Sequence, residues 1–298
     1  MKYTGNIYRP PYEANSLLLQ LTTGCSHNKC SFCTMYKDIP FEVESMEQIE
    51  KDLLEARRMY SSVERIFLLN GDAFSLSFNK LKALGMKIHE IFPEIKTIAA
   101  YASVNSIKMK TDDELKELRY LKFNDFNIGV ESGMNEVLVN LNKGYDLNEA
   151  RTQLLRLKSA GIRFCTNIVI GSGGTEKSFE NAVRSAELMN EVQPWMIFLT
   201  TLFIDPSSRL YEDVRAGRFE ENSAGQNLFE EIEFIRRLEL KDTYFFGLHT
   251  SNAVQVGGRL PMDKEKILKS LEDGKKSFDI SFLEKRPRRG HEGLHINE

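Results

Sequence analysis

Three of the four cysteines stand close together near the start of the chain, with the spacing C-x4-C-x2-C. They are Cys25, Cys30 and Cys33 in the stretch LTTGCSHNKCSFCTMY, whereas Cys165 lies far downstream. A structural zinc site needs four closed ligands, usually in two pairs. The sequence has no second cysteine pair, and His27 as a fourth ligand would strain the loop. A cubane iron–sulfur cluster has four irons, so three thiolates would leave one iron open to bind another molecule.

The composition limits the compartment and the partners of the chain. With 298 residues, 41% of them hydrophobic, and a formal net charge of -3, the chain can bury a large core and has no general attraction for anionic surfaces. Its start, MKYTGNIYRPPYEANS, has no apolar stretch typical of a signal peptide, and no later segment approaches about 20 uncharged apolar residues. These features predict a cytoplasmic protein with reduced thiols, no membrane partner and no stable nucleic-acid partner.

Six short apolar runs, each followed by a helical stretch, make up most of the chain. The runs predicted as buried strands are 16–22, 64–70, 96–102, 126–132, 164–171 and 196–203. Helix starts of the capping-box type stand at Ser45, Thr111 and Asp146, and Gly161 is the predicted C-cap of the last of these helices. The alternation predicts an α/β fold with a parallel sheet. Because six units fall short of the eight that close a full barrel, we expect a partial (β/α)6 barrel.

Ligands of such folds bind at the C-terminal ends of the strands, and the cysteine cluster comes directly after the first strand. We expect the barrel core to span residues 1–204 and a C-terminal extension, packed on the barrel, to span residues 205–298. Within the extension we predict a helix near 228–240, an apolar stretch TYFFGLHTSN and a helix after Pro261. The basic segment from about residue 285 is predicted to be a flexible tail.

The cysteine motif and the turns after the later strands resemble those of the radical S-adenosylmethionine (radical SAM) enzymes, over about residues 15–260. The resemblance implies that Cys25, Cys30 and Cys33 hold a [4Fe–4S] cluster, and that the amino and carboxylate groups of SAM chelate its open iron. The loop between the first two cysteines is one residue longer than is usual in the family. Phe32, directly before the third cysteine, would lie near the adenine of SAM.

Further SAM contacts are implied at the ends of later strands. The turn NGD is similar to a Gly-Gly-Glu-like turn that holds the SAM amino group, although Asp72 is shorter than the expected glutamate. The segment IGVESGMNEVLVNLNKGY is similar to one shared by coproporphyrinogen oxidases and methylthiotransferases, in which the residue matching Glu131 contacts SAM. Arg151 would bind the SAM carboxylate, and the turn in NIVIGSGGTE would bind adenine through its backbone. The implied cofactor-binding residues are Phe32, Asn70, Gly71, Asp72, Glu131, Ser132, Arg151, Ile170 and Gly171.

The resemblance also implies a type of reaction. The reduced cluster would cleave SAM, and the resulting deoxyadenosyl radical would take a hydrogen atom from a small-molecule substrate. A one-electron donor such as flavodoxin or ferredoxin would reduce the cluster. The alternative outside catalysis is an iron–sulfur or zinc binding module, which would have no need of the SAM turns.

Two interpretations of the substrate remain open. A porphyrinogen-type decarboxylation would need several arginines or lysines to meet propionates, and Arg209 is the arginine close to the sixth turn. The compact chain with a single cluster motif also resembles the queuine lyases of the superfamily, which break a carbon–nitrogen bond to salvage a deazaguanine base. In that interpretation Asp205 and Asn252 are candidates for contacting the guanine-like edge of the base.

Overall fold

The computed structural model describes residues 1–286, and an eight-stranded, mostly parallel sheet forms its centre. The strands of these residues are β1 (Leu17–Gln20), β2 (Thr22–Thr23), β3 (Glu42–Val43), β4 (Arg65–Leu69), β5 (Thr97–Ala102), β6 (Phe123–Glu131), β7 (Phe164–Ile170), β8 (Met196–Thr201), β9 (Thr243–Gly247) and β10 (Val256–Leu260). The order in the large sheet is β1-β4-β5-β6-β7-β8-β9-β10, while β2 and β3 form a separate antiparallel pair. The predicted α/β fold is confirmed, and this order is compatible with the expected partial barrel.

The six predicted strands correspond to β1 and to β4 through β8. β1 pairs parallel with β4, β4 with β5, and β5 with β6. β6 begins at Phe123, three residues before the predicted run, because the polar residues Asn124 and Asp125 also lie in the strand and are buried. The first predicted run is divided, since Thr22 belongs to β2 rather than to β1.

Helices alternate with these strands. In chain order they are α1 (Met46–Met59), α2 (Phe78–Ile91), α3 (Val104–Lys108), α4 (Asp112–Tyr120), α5 (Asn135–Asn140), α6 (Leu147–Ser159), α7 (Gly174–Val192), α8 (Arg209–Arg215), α9 (Ala224–Arg236), α10 (Lys264–Ser277) and α11 (Ile280–Leu283). The predicted start of α1 is confirmed, because the Ser45 side chain accepts a hydrogen bond from the Gln48 N–H. A reciprocal capping box at Thr111 likewise begins α4.

The predicted C-cap Gly161 follows α6 with a φ of +72°. Its N–H donates to the carbonyl of Lys158, and the N–H of Ile162 donates to that of Leu157. A glycine adopts this left-handed conformation without the steric cost that a Cβ brings, so the chain turns here from α6 into β7.

The predicted extension adds two strands to the sheet. β9, which lies within the predicted apolar stretch, pairs parallel with β8, and β10 pairs antiparallel with β9. α9 and α10 match the two predicted helices. β10 escaped prediction because its sequence, VGGRL, contains two glycines, which disfavour strands on their own.

The chain forms two compact units. Unit 1 consists of Met1–Asn28, Tyr36–Gly129 and Asn148–Cys165; unit 2 consists of Lys29–Met35, Val130–Leu147 and the residues from Thr166 onward. The division at residue 204 remains a prediction. In the part of the chain that the structure describes, no helix is long and apolar enough to cross a membrane. The predicted tail lies, from residue 287, outside the described residues.

Ion pairs between buried carboxylates and partly exposed arginines lie near the N-terminal ends of the strands of unit 1. Glu13 is fully buried and accepts hydrogen bonds from Arg65, the first residue of β4. The Asp125 carboxylate accepts from Arg65 over 2.7 Å and from the Nε of Arg163 over 2.8 Å. Each buried carboxylate therefore has a cationic partner, at the end of the sheet opposite to the one where ligands are expected.

Candidate functional site

The three clustered cysteines are not in disulfide bonds, and each is half-buried. Cys25 belongs to unit 1, whereas Cys30 and Cys33 belong to the short segment Lys29–Met35 of unit 2. Burial raises the pKa of Cys30, and the nearby Lys143 ammonium opposes this shift. Among residues 1–286, no three His, Cys, Asp or Glu side chains are grouped as for a single metal ion. A cubane cluster does not require such a group, because each thiolate binds a different iron.

Gly71 leaves room beside Cys25. A Cβ atom at Gly71 would lie 2.6 Å from the Cβ of Cys25, which is closer than two carbon atoms tolerate. The N–H of Gly71 also donates to the carbonyl of Gly24 over 3.2 Å. Asn70, directly before this turn, has a φ of +73° and donates from its side chain to the carbonyl of Thr22 over 2.8 Å. The turn after β4 therefore packs directly on the first cysteine.

Asp72 connects this turn to two other parts of unit 1. Its carboxylate accepts from the Ser26 hydroxyl over 2.7 Å, and from the hydroxyl and N–H of Ser103 over 2.7 Å and 3.2 Å. The side chain is 1% exposed, and burial raises its pKa despite these donors. Asp72 thus holds the loop after Cys25 against the start of α3. Its predicted contact with the SAM amino group remains a prediction.

The segment that carries Cys30 and Cys33 is held by the turn after α5. The N–H of Ser31 donates to the carbonyl of Leu141 over 2.9 Å, and its hydroxyl donates to that of Asn140 over 2.8 Å. The side chain of Asn142 donates to the carbonyl of Lys29 over 2.7 Å. These contacts lie on both sides of Cys30 and fix the path of its backbone.

Glu131 ends β6 in a left-handed conformation, with a φ of +73°. A non-glycine residue adopts this conformation at an energetic cost, and such strain concentrates at functional sites. One carboxylate oxygen accepts from Lys143 over 2.8 Å, and the other accepts from the Asn167 amide over 2.9 Å. The Oδ1 atom of Asn167 is buried and has no hydrogen-bond partner among residues 1–286. Glu131 is therefore fixed in place beside an acceptor that a ligand hydroxyl or amine could use.

Ser132 and the residue after it pack into the helix layer. The Ser132 side chain is fully buried and contacts Asn181 in α7. The N–H of Gly133 donates to the Ser185 hydroxyl over 2.9 Å, and a Cβ at Gly133 would lie 2.2 Å from the carbonyl oxygen of Arg184. Ser132 thus positions the turn after Glu131, and its predicted contact with SAM remains a prediction.

The turn after β7 carries the predicted adenine contacts. The carbonyl of Ile170 accepts from the N–H of Leu202 over 2.8 Å, and Gly171 has a φ of +83°. The N–H of Gly171 donates to Glu230 in α9, over 3.1 Å. Phe32 lies in unit 2 with this turn, and Arg151 lies half-buried in α6 of unit 1.

The two candidate substrate residues both have partners within the protein. Oδ1 of Asp205 accepts from the N–H and the hydroxyl of Ser207 over 2.7 Å and 2.6 Å. The Asn252 amide donates to the carbonyls of Leu199 and Gly247 over 3.0 Å and 2.9 Å, and its oxygen accepts from Thr201. Asn252 therefore holds the loop after β9 to the end of β8. Both residues remain candidates.

Sequence reasoning missed three residues of these sites: Lys143, Asn167 and Glu230. Asn167 was detectable, because an amide inside the apolar run FCTNIVIG is unusual unless it has a polar partner. The partners of Lys143 and Glu230 depend on long-range packing, for which a single sequence carries no local signal.

These features fit the cofactors that the cysteine motif implies. The three cysteines are not in disulfide bonds, Gly71 keeps space beside Cys25, and a buried acceptor stands next to Glu131. A family model described as "Radical SAM superfamily" matches residues 19–186, more than half of the chain. The chain belongs to the radical SAM superfamily. The predicted cofactors, a [4Fe–4S] cluster and SAM, are confirmed as those of this superfamily.

Solved structures of radical SAM proteins share the fold. A methylornithine synthase is 16% identical with a TM-score of 0.57, and the match covers 86% of this chain and 68% of that one. The methyltransferase TsrM from Kitasatospora setae, solved with cobalamin and a [4Fe–4S] cluster, is 14% identical with a TM-score of 0.54; the match covers 65% of this chain and 38% of that one.

Coproporphyrinogen III oxidase from Escherichia coli, also a radical SAM enzyme, is 17% identical with a TM-score of 0.53, and the match covers 74% of this chain and 50% of that one. No curated protein sequence matches this chain. At these identities the similarity shows the radical SAM fold alone. The reactions of the three solved proteins differ, so the substrate of this chain has to be argued from its own residues.

Proposed function

We propose that this radical SAM enzyme is a queuine lyase, which releases the aminomethyl-deazaguanine base of queuine for salvage. The observation that carries the proposal is a pair of stacked aromatic rings on β8 and β9. Phe198 and Phe246 are opposite each other in the strand register, with ring centroids 5.1 Å apart and an angle of 14° between the ring planes. The ring of His249 lies at 71° to that of Phe198, and the two ring centroids are 5.8 Å apart. A planar heteroaromatic substrate gains affinity by stacking on such rings.

The strand face that carries these rings is the less buried one. Ile197 and Phe245, which point to the opposite face, are fully buried. On β10, the partner of Phe246 is Gly257, which is exposed and has no side chain. A Cβ at Gly257 would lie 3.4 Å from the Cγ of Leu248 and 3.4 Å from the Oη of Tyr244, so these two side chains would border a flat ligand that stacks on Phe246.

Cys25 follows β2, Glu131 ends β6, and Gly171 follows β7. Cys25, Cys30 and Cys33 would hold the cluster; Glu131 and the turn containing Gly171 would contact SAM. When bound, the cluster and SAM supply the one-electron chemistry that removes a hydrogen atom from an unactivated carbon. The protein would position the substrate for this step. The bond broken would be the carbon–nitrogen bond between the cyclopentenediol ring and the aminomethyl group.

The polar edge of the base requires its own partners. Asp205 follows β8, and one oxygen of its carboxylate already accepts the Ser207 donors. A carboxylate has several acceptor positions, so the same group can also accept from the adjacent N–H donors of a guanine-like edge. Asn252 lies in the same unit and supports the loop that carries His249. We propose Asp205 as the direct contact and Asn252 as a second candidate.

The test is an anaerobic assay with reduced enzyme, SAM and queuine, in which release of the free base is followed by mass spectrometry. We expect release by the wild-type chain. Phe198→Leu and Phe246→Leu should each raise KM for queuine by about tenfold, the loss of one stacking interaction of about 1.4 kcal/mol. The control is Phe179→Leu, which removes a ring from an exposed stacked pair with Phe229.

Three outcomes would contradict the proposal. Queuine that neither binds nor reacts, while a porphyrinogen is decarboxylated, would establish the porphyrinogen-type reaction instead. If Phe179→Leu loses queuine turnover to the same degree as Phe246→Leu, the stacked pair Phe198 and Phe246 does not bind the substrate. A chain that binds iron and sulfide but never cleaves SAM would be a binding module.

A further inference from the structure

Lys143 is a buried cation beside the segment that carries two of the cysteines. Its side chain is 10% exposed, and it comes directly after the turn residues Asn140 to Asn142. That turn holds Lys29 and Ser31, the two neighbours of Cys30 in the chain. The Nζ atom also lies 5.9 Å from the ring centroid of Phe32, the residue directly before Cys33. The positive charge is thus fixed beside the segment that carries Cys30 and Cys33.

Glu131 is the anion that pairs with this cation. The two side chains form a 2.8 Å ion pair, and the carboxylate is also held by Asn167. Because both charges are buried, their fields are stronger and less screened by salt than those of a surface pair.

We propose that Lys143 and Glu131 set the reduction potential of the [4Fe–4S] cluster, Lys143 raising it and Glu131 lowering it. The inference rests on the cluster proposed above. Reduction transfers one electron from the electron donor, such as flavodoxin or ferredoxin, to the cluster. The donor is oxidised and the cluster gains a negative charge. A fixed cation stabilises the more negative form, and a fixed anion destabilises it. The two charges therefore shift the reduction potential of the cluster in opposite directions.

The experiment measures the potential of the cluster rather than the activity of the enzyme. Wild-type chain, Lys143→Met, Glu131→Gln and the double variant are reconstituted anaerobically with iron and sulfide. They are then titrated with dithionite without SAM, and the reduced cluster is followed by its electron paramagnetic resonance signal. We expect a more negative potential for Lys143→Met, a less negative one for Glu131→Gln, and an intermediate one for the double variant. Lys143→Arg should retain the wild-type potential.

A matched control exists in the same unit. Lys177 and Glu136 form an ion pair in which both partners are more exposed, at 33% and 67%. Lys177→Met removes a positive charge and Glu136→Gln a negative one, as the two test variants do. Because water and salt screen these exposed charges, the reduction potential of the cluster should not change. A purely structural role of Lys143 would change the amount of cluster bound without producing shifts of opposite sign.

The outcomes separate this inference from the proposed function. A wild-type chain that binds no cluster would contradict both. A bound cluster whose potential is the same in wild type and Lys143→Met, or shifts in the same direction in both single variants, would contradict this inference alone. If Lys143→Met does not retain the cluster, the potential of Glu131→Gln is the test. A less negative potential than that of the wild type supports the inference, and an unchanged potential contradicts it.

Discussion

The N–H of Gly171 donates to the carboxylate of Glu230, a fully buried acid in α9, over 3.1 Å. Ser178, Asn181 and Asn222 donate to the same carboxylate over 2.7, 2.8 and 2.9 Å. Burial raises the pKa of Glu230 to about 7 in spite of these donors. A buried acid therefore fixes the turn that we propose to contact the adenine of SAM.

Replacing Glu230 by Gln should loosen this turn. The amide has one acceptor oxygen instead of two, so at least one buried donor loses its partner, at a cost of about 1–3 kcal/mol in the free energy of unfolding. We expect weaker SAM binding in equilibrium dialysis, with unchanged iron content. The matched control is Glu231→Gln, the next residue of α9, which should bind SAM normally. Wild-type SAM affinity in Glu230→Gln would show that the turn does not depend on this acid.

Glu231 should make the stability of the protein depend on pH. It is buried, its Oε1 has no hydrogen-bond partner in the described part of the chain, and burial raises its pKa to about 8. The unfolded chain loses this proton near its ordinary value of about 4.3, whereas the folded chain keeps it until about pH 8. The folded state thus binds more protons in this window, and stability falls as pH rises through it.

Glu231→Gln should flatten this dependence. Urea unfolding at pH 5, 6.5 and 8 should show wild type losing stability with rising pH, and the variant losing less, because Glu230 still contributes. At pH 8 the variant should be more stable by about 1–3 kcal/mol, since it buries no ionisable group at this position. Parallel curves for the two proteins would show that Glu231 titrates in the folded chain as it does in water.

Gly71→Ala should impair cluster binding. The added Cβ would lie 2.6 Å from the Cβ of Cys25, so the cysteine or the turn after β4 must move. We expect less iron per chain after reconstitution, measured by a colorimetric iron assay. Gly161→Ala is the control: it has a φ of +72° and no atom within 4 Å of the added Cβ. That variant should lose about 1 kcal/mol of stability and no iron. Equal iron content in both variants would contradict the proposal that cluster binding needs the space that Gly71 leaves beside Cys25.

Cys30→Ala should abolish both the visible absorption of the cluster and SAM cleavage. Three thiolates hold three irons in the proposed site, and the loss of one leaves a second iron without a protein ligand. Cys165→Ala should retain both properties, because Cys165 is a buried residue near the start of β7 and is not part of the cysteine motif. SAM cleavage that persists in Cys30→Ala would show that the motif does not hold the cluster.

Local patterns in the sequence predicted most of the fold. The six apolar runs and the caps at Ser45 and Thr111 are determined by residues within a few positions of one another, so they are readable without a structure. β10 was missed because its register depends on pairing with β9 rather than on its own composition. The resemblance to radical SAM turns singled out Gly71 and Glu131, whose contacts with SAM remain predictions, and the close approach of Gly71 to Cys25 required coordinates.

The three-dimensional partners of the site were beyond prediction from one sequence. Lys143 lies in a segment that was recognised, yet nothing local distinguishes a buried lysine from a solvated one. Glu230 looks like an exposed residue of an amphipathic helix, and only the packing of α7 against α9 buries it. Asn252 has the residue type for recognising a base edge, while its hydrogen bonds connect it to the backbone of β8 and β9.

The hydrogen bonds between the cysteine segment and the turn after α5 also set an order for biosynthesis. Ser31 and Lys29 are held by residues 109 and 113 positions later in the chain. Since a chain emerges from the ribosome with its N-terminal part first, the cysteines are translated long before the residues that fix them exist. We therefore expect cluster insertion to follow the emergence of Asn142 from the ribosomal tunnel, because until then the segment with Cys30 and Cys33 lacks the contacts that fix its path.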